Sequence, residues 1–301
     1  AGRVLALMLR SQVEPGLYNE GHFCRRMHEE LFTFLDGTPM NGPGGYTSQS
    51  VREAWRRRVE QKLPWGQTGG HAGDTEAIER TLALAVRYAF QPAELATVVA
   101  SNTHLTQIDD TVISMTVAYA AVLGMLVQGH ALDKTLSGKL MELVKTGKLP
   151  FHAVTFADLQ PPRPGDPDPP RARRFASPDA LLTPSYMAEA AADIEIRIEP
   201  AWKVSIVYGM PCAIYHQLPA AYYLAARFRN DFESAVLHAV NGGGQNQART
   251  ILTGALVGAQ VGLSGIPKRF LDGLEDLDKL KHLAMTLASQ VNGDTLRQRM
   301  T

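Results

Sequence analysis

Residues Asn241-Gly242-Gly243-Gly244-Gln245-Asn246-Gln247 run straight into Ala248-Arg249-Thr250-Ile251-Leu252-Thr253-Gly254-Ala255-Leu256-Val257-Gly258-Ala259. No other stretch restricts the fold as strongly. A glycine-rich turn that opens onto a helix aims free backbone N–H groups and the positive end of the helix dipole at one point, which is anion-binding geometry. Gly254, Gly258 and Gly262 recur every four residues, so they line one face where a second helix can approach closely. The segment is predicted to be buried along its body and open at its N-terminus. The competing reading is a polar cap whose side chains satisfy the N–H groups of their own helix.

The rest of the chain reads as helix. Val51, Trp55, Val59 and Leu63 mark one face of a helix over 48–63, with Arg56, Arg57 and Arg58 expected to turn mostly outward. Helical periods recur over 75–88, 112–127 and 137–144. Residues 193–200 alternate acids with isoleucines, which suits a short strand or an irregular edge. Pro162, Pro164, Pro167, Pro169 and Pro170 exclude a helix interior and predict an exposed insertion loop near 160–175. The expectation is an all-α orthogonal multi-helix bundle, one domain over 1–301.

Composition excludes several classes of function. Lys and Arg number 30 and Asp and Glu number 30, so no electrostatic footprint points to nucleic acid or an anionic membrane. No apolar run is expected to reach membrane-spanning length, because the stretch after Met115 is short and Gln260 interrupts the one after Ile251. Two distant cysteines, Cys24 and Cys212, imply a reducing compartment and a cytoplasmic location. The histidines lack zinc-ligand spacing, and neither a P-loop nor a Gly-x-Ser-x-Gly elbow occurs.

Smaller motifs carry two readings each. Asp74 and Glu76, after Gly69-Gly70-His71-Ala72-Gly73, read as a helix cap and a first-turn acid. Asp109-Asp110-Thr111 favours helix capping over metal ligation. Gly45 and Tyr46, between Gly42 and Ser48, sit in either a plain turn before a capped helix or a ligand loop.

Several landmarks together resemble the ADP-ribosylglycohydrolase family, which includes the J-type crystallins. Gly243-Gly244 followed by Gly254-Ala255-Leu256 resembles the family's glycine pair and small-residue helix, and Ile266-Pro267-Lys268-Arg269-Phe270 its closing step. Leu218-Pro219-Ala220-Ala221 resembles the family's Leu-Pro-Ala-Ala helix end, and Asn230-Asp231-Phe232-Glu233-Ser234-Ala235-Val236 the short helix that leads into the glycine loop. Ser101-Asn102-Thr103-His104-Leu105-Thr106 resembles its Leu-Thr-His segment with the order changed. The likeness runs from about Gly70 to Gly273, apart from the proline-rich middle.

The resemblance implies hydrolysis of ADP-ribosyl glycosidic bonds at a dinuclear Mg²⁺ site. It implies ADP-ribose or a related nucleotide as ligand, an ADP-ribosylated protein as partner, and Gly243, Gly244, Gln245, Asn246, Gln247, His104, Gly45 and Tyr46 as lining residues. The chain departs from the family where the metal is held. Gln245 and Gln247 stand at the two metal-binding aspartates, and no Thr-Asp-Asp-Thr motif occurs in the sequence, which opens with a segment resembling the helix after it. Neutral amides in place of two carboxylates weaken a divalent site by many tenfold steps, at about 1.4 kcal/mol each. No metal cofactor is therefore expected and no catalytic residue is assigned. Three functions stay open: a hydrolase, a non-catalytic nucleotide-binding pseudoenzyme and a crystallin-like structural protein.

Overall fold

The computed structural model describes residues 2–42, 45–151 and 179–300, with side chains as far as residue 293. The insertion predicted near 160–175 lies outside the described residues. The helices are α1 Gly2–Val13, α2 Glu20–Glu30, α3 Gln49–Trp55, α4 Glu76–Arg87, α5 Pro92–His104, α6 Asp110–Val127 and α7 Leu136–Lys145. They continue with α8 Asp179–Ala192, α9 Val204–Tyr208, α10 Ile214–Arg227, α11 Phe232–Asn241, α12 Asn246–Val261, α13 Lys268–Asp272 and α14 Leu277–Met300. Among the described residues there are no strands, only the isolated bridges Gly70–Gln107 and Asp74–Ala213. The fold is all-α.

Helix α6 occupies the centre because it is apolar on every side, and such a helix has no solvent face to offer. It packs against α4, α5, α8 and α12, while α10 joins α8, α11 and α12 beside it. Contrary to the sequence expectation, α6 is long and apolar enough to cross a membrane, with a mean hydropathy of 1.7 over 18 residues; 78% of it is buried inside this fold. Its start is fixed by Asp109, whose carboxylate accepts from the N–H groups of Thr111 (2.9 Å) and Val112 (3.0 Å). The capping reading of Asp109 therefore holds.

Helix α4 is almost fully buried, yet it carries Arg80 at no solvent exposure. The guanidinium forms an ion pair with Glu76 one turn earlier. It also donates to the Asn102 side chain (2.7 Å), the Asn102 carbonyl (2.6 Å) and the Thr106 hydroxyl (2.9 Å). Asn102 passes the network on to the Tyr18 hydroxyl at 2.8 Å. Three separate segments are thus locked to one buried charge.

Two local expectations need correction. The helix over 48–63 is α-helical only to Trp55; a π-helical turn, Arg56–Glu60, follows. Arg57 and Arg58 are half-buried, because they donate to the carbonyls of Gly69 and Leu63, and Arg58 lies over the Trp65 ring. Unpaired carbonyls in adjoining loops draw these side chains inward. Residues 193–200 form a turn with Ile194 and Ile196 exposed, so the strand option fails for want of a neighbouring strand. Cys24 is buried, Cys212 is exposed, and both are free.

Arg80→Leu should lower unfolding free energy by about 3–5 kcal/mol, because Glu76 is left buried without its counter-charge. Urea denaturation checks this, and a loss below about 1 kcal/mol would contradict the assigned role.

Candidate functional site

The glycine turn forms the mouth of α12. Gly243 and Gly244 are exposed, Gln245 and Asn246 half-buried, Gln247 exposed, and Ala248 onward buried where the helix faces the core. Burial thus follows the pattern anticipated from sequence. The small face behind packs on α11: an added Cβ at Gly254 would lie 3.5 Å from Val236, and one at Gly258 3.8 Å from Phe232.

The turn needs glycine for two separate reasons. Gly243 and Gly244 have φ of 69° and 60°, in the left-handed region. At Gly244 space is also short, since a Cβ would stand 2.6 Å from the Met210 carbonyl oxygen and Cβ. That contact is the turn's anchor, because the Gln245 N–H donates to the Met210 carbonyl at 2.9 Å. Gln245 occupies the cap position but makes no side-chain capping bond. Asn19, Asp109 and Asp231 do cap α2, α6 and α11. Asn246 instead donates its side-chain amide to the Val240 carbonyl at 3.2 Å.

Beneath the turn lies Arg249, fully buried in the second turn of α12. Its Nε donates to the Ala239 carbonyl (3.0 Å), one Nη to the Gly243 carbonyl (2.6 Å), and the other Nη to the Gln217 side chain (3.4 Å). Gln217 then donates to the Pro211 carbonyl at 2.6 Å, and Ser205 donates to the Gly242 carbonyl at 2.5 Å. Among the described residues Arg249 makes no ion pair, and burial pulls its pKa below the usual arginine value. Sequence reading passed over Arg249. Its signal was available, because it falls on the stripe of buried positions Leu252, Thr253, Leu256 and Val257, where a charge is out of place.

The 209–213 loop relays the turn to the other candidate segments. The Ile214 N–H donates to the Gly73 carbonyl at 2.9 Å, and Ala213 bridges Asp74. The buried Asp74 carboxylate accepts from the Ser50 N–H (3.0 Å), the Ser50 hydroxyl (2.7 Å) and the Glu76 N–H (3.2 Å). It therefore fastens the starts of α3 and α4 together, which extends the simple cap expected from sequence. Exposed Gly45 and Tyr46 sit just before α3, ahead of the Ser50 that Asp74 holds. Exposed His104 ends α5 and borders the 69–74 loop from its far side, where the Gly70 N–H donates to the Thr106 carbonyl at 3.0 Å. No hydrogen bond joins His104 or Tyr46 to the glycine turn.

Acids gather behind this loop. Burial raises Asp74 above the usual carboxylate range despite the Ser50 hydrogen bonds. Burial likewise raises Glu79 to about 7, opposed in part by the Thr75 hydroxyl, which donates to it at 2.6 Å. A carboxyl whose folded pKa is raised stabilises the fold fully below its unfolded value of 4.5 and loses that contribution as pH climbs through 7. The wild type should accordingly lose roughly 2–3 kcal/mol of stability between acidic and neutral conditions. Glu79→Gln should flatten most of that slope in urea titrations, and an unchanged slope would refute the assignment. At the turn, Gly244→Ala should cost about 1–3 kcal/mol and more than Gly243→Ala, whose Cβ meets nothing within 4 Å. Equal losses in parallel thermal melts would show that the Met210 contact is unimportant.

Comparison with known proteins bears on the fold and the family. A solved structure described as an ADP-ribosylglycohydrolase-related protein complex is similar to the chain with a TM-score of 0.57 and 18% identity, covering 96% of this chain and 80% of that one. At that identity the likeness speaks for the fold. No curated protein matches the chain. The family model for ADP-ribosylglycohydrolase matches residues 3–296, nearly the whole sequence, and the chain belongs to the ADP-ribosylglycohydrolase family.

Proposed function

We propose that this protein binds ADP-ribose or a closely related nucleotide at the α12 turn, without a divalent cation and without hydrolysing the glycosidic bond. The observation that carries this reading is the uncapped, exposed start of α12. Gln245 leaves the helix mouth without a side-chain cap; its own N–H and that of Asn246 are given to the Met210 and Gly244 carbonyls, so what the exposed mouth offers an anion is the positive dipole end and the amide side chains of the first turn. A purely structural cap would use those amides on its own helix.

The residues at the turn do not fit the family's magnesium pair. Mg²⁺ takes hard, preferably anionic oxygens in a tight octahedron. The turn offers the amides of Gln245, Asn246 and Gln247, and the Asn246 amide is already directed at Val240. Among the described residues no three His, Cys, Asp or Glu side chains converge as metal ligands. A buried guanidinium immediately below the turn adds repulsion toward any cation. Amides suit a different task, since each can donate to a phosphate oxygen and accept from a ribose hydroxyl. Glycosidic hydrolysis needs a carboxylate to stabilise the developing oxocarbenium charge and a general base or metal ion to activate the attacking water, and the turn supplies neither.

Calorimetric titration with ADP-ribose in excess chelator and again in millimolar Mg²⁺ tests the proposal. The expected affinities agree within about threefold, and an ADP-ribosylated substrate releases no ADP-ribose. Binding only with Mg²⁺, or turnover, would return the chain to the hydrolases. No heat under either condition would favour the crystallin-like structural role.

A further inference from the structure

We infer that this protein self-associates head to tail: the 193–199 turn of one copy seats in the apolar hollow between α5, α6 and α7 of a second copy. The inference is independent of the nucleotide-binding reading, because neither surface includes the glycine turn.

The turn is built as an anchored projection. Ile194 and Ile196 stand 77% and 63% exposed, alternating with the exposed acids Asp193 and Glu195. The Asp193 N–H donates to the Glu189 carbonyl at 3.0 Å, and the Asp193 carboxylate accepts from the Glu195 N–H at 2.9 Å. Further on, the Ile198 N–H donates to the Tyr223 hydroxyl at 2.7 Å, and Glu199 pairs with Arg197 and Arg227. Both ends of the turn are pinned, so the isoleucines are held outward with acids beside them. Scattered exposed apolar residues are ordinary, whereas a fixed pair at one tip is a small patch of the kind that partners cover. The alternation of acid and isoleucine in the sequence thus finds a use without a strand.

The complementary surface lies at the far end of α6 from Asp109. Phe90, Met125 and Leu143 line a hollow of about 660 Å³, with Lys139, Lys148 and His130 along one edge. That volume takes both isoleucines and the chain between them. Lys139 Nζ lies 3.3 Å from His130 Nδ1, and among the described residues neither Lys139 nor Lys148 forms an ion pair. Glu94 and Glu142 also border the hollow, so its rim carries both signs, as the turn does with Arg197 beside Asp193 and Glu195. The apolar floor suits the isoleucines, the free lysines suit the two acids, and the rim acids suit Arg197. Both surfaces stand open in the single chain, so the turn does not fill its own hollow. A contact between two different patches is heterologous and builds rings or chains rather than a two-fold dimer. The turn is held by Tyr223 and Arg227 near the end of α10, whereas the glycine turn is fastened to Met210 before its start, so the two lie at opposite ends of that helix.

Sedimentation velocity on the full chain, from about 1 to about 200 μM, reads the association directly. The wild type should grow beyond a dimer as concentration rises, and less so in about 0.5 M salt, which screens the rim charges. Glu195→Lys and Lys148→Glu each change one exposed side chain, one on the turn and one on the rim. Either alone should weaken association about tenfold or more by setting like charges together. An equimolar mixture of the two variants should recover the wild-type behaviour, since each supplies the charge that the other's altered surface requires. Recovery in the mixture also shows that both variants are folded. Ile194→Ser combined with Ile196→Ser should leave a monomer whose thermal melt matches the wild type. A wild type that stays monomeric at every concentration overturns the inference and leaves the hollow to residues 152–178 or to a foreign molecule. Association that survives both charge reversals, or a mixture as dissociated as its components, overturns it too. So does a dimer that does not grow further and ignores the isoleucine substitutions.

Discussion

The pairing of Arg80 with Glu76 is the constraint on which the rest of the fold leans. Helix α4 is buried nearly end to end, and only an internally neutralised charge can remain there at tolerable cost. Because the guanidinium also binds Asn102 and Thr106, it fixes the end of α5 against α4. That join sets the 69–74 loop, since Gln107 donates from the same turn to the carbonyls of Ala72 (2.7 Å) and Asp74 (2.9 Å). Asp74 then orders α3, and the Gly73 carbonyl receives the N–H of Ile214 at the start of α10. Core polarity therefore propagates outward to the loops around the glycine turn. A network of this kind gives position rather than net stability.

Backbone carbonyls at loop crossings are the common currency of the arginines in this chain. Arg52, Arg56, Arg57 and Arg58 each donate to a loop carbonyl, those of Thr47, Gly37, Gly69 and Leu63. Irregular loops between short helices leave such oxygens unpaired, and a long side chain with several donors reaches them where water is excluded. Arg249 belongs to this group by geometry but differs in burial. The others keep contact with solvent, which screens their charge, whereas Arg249 keeps none.

The fold was legible because helical periodicity is written in side-chain spacing. The periods over 75–88, 112–127 and 137–144 map onto α4, α6 and α7 within two residues at each end. The landmarks that resembled the ADP-ribosylglycohydrolase family, the Gly243-Gly244 pair among them, agree with the family match over residues 3–296, and the pair stays glycine because its backbone is left-handed and Met210 crowds Gly244. What stayed hidden depends on contacts between distant segments. Nothing local tells that Arg57 and Arg58 turn inward, since the carbonyls they satisfy lie in loops whose path is set elsewhere. The alternation over 193–200 suited a short strand or an irregular edge, and with no strand among the described residues to pair with, it is irregular. Arg249 was the costliest omission.

The proposed independence from a metal follows from the side chains present at the turn. A divalent site concentrates carboxylates around a removable cation, and affinity for an anionic ligand then depends on the supply of that cation. At the α12 turn the side chains of Gln245 and Gln247 carry no charge, and the buried Arg249 guanidinium below them is committed to the oxygens of Ala239, Gly243 and Gln217. The guanidinium cannot leave, lose its proton near neutral pH, or polarise a water molecule into a nucleophile as a metal ion does. On the proposed reading, this is why the turn would bind a nucleotide without the means to hydrolyse its glycosidic bond.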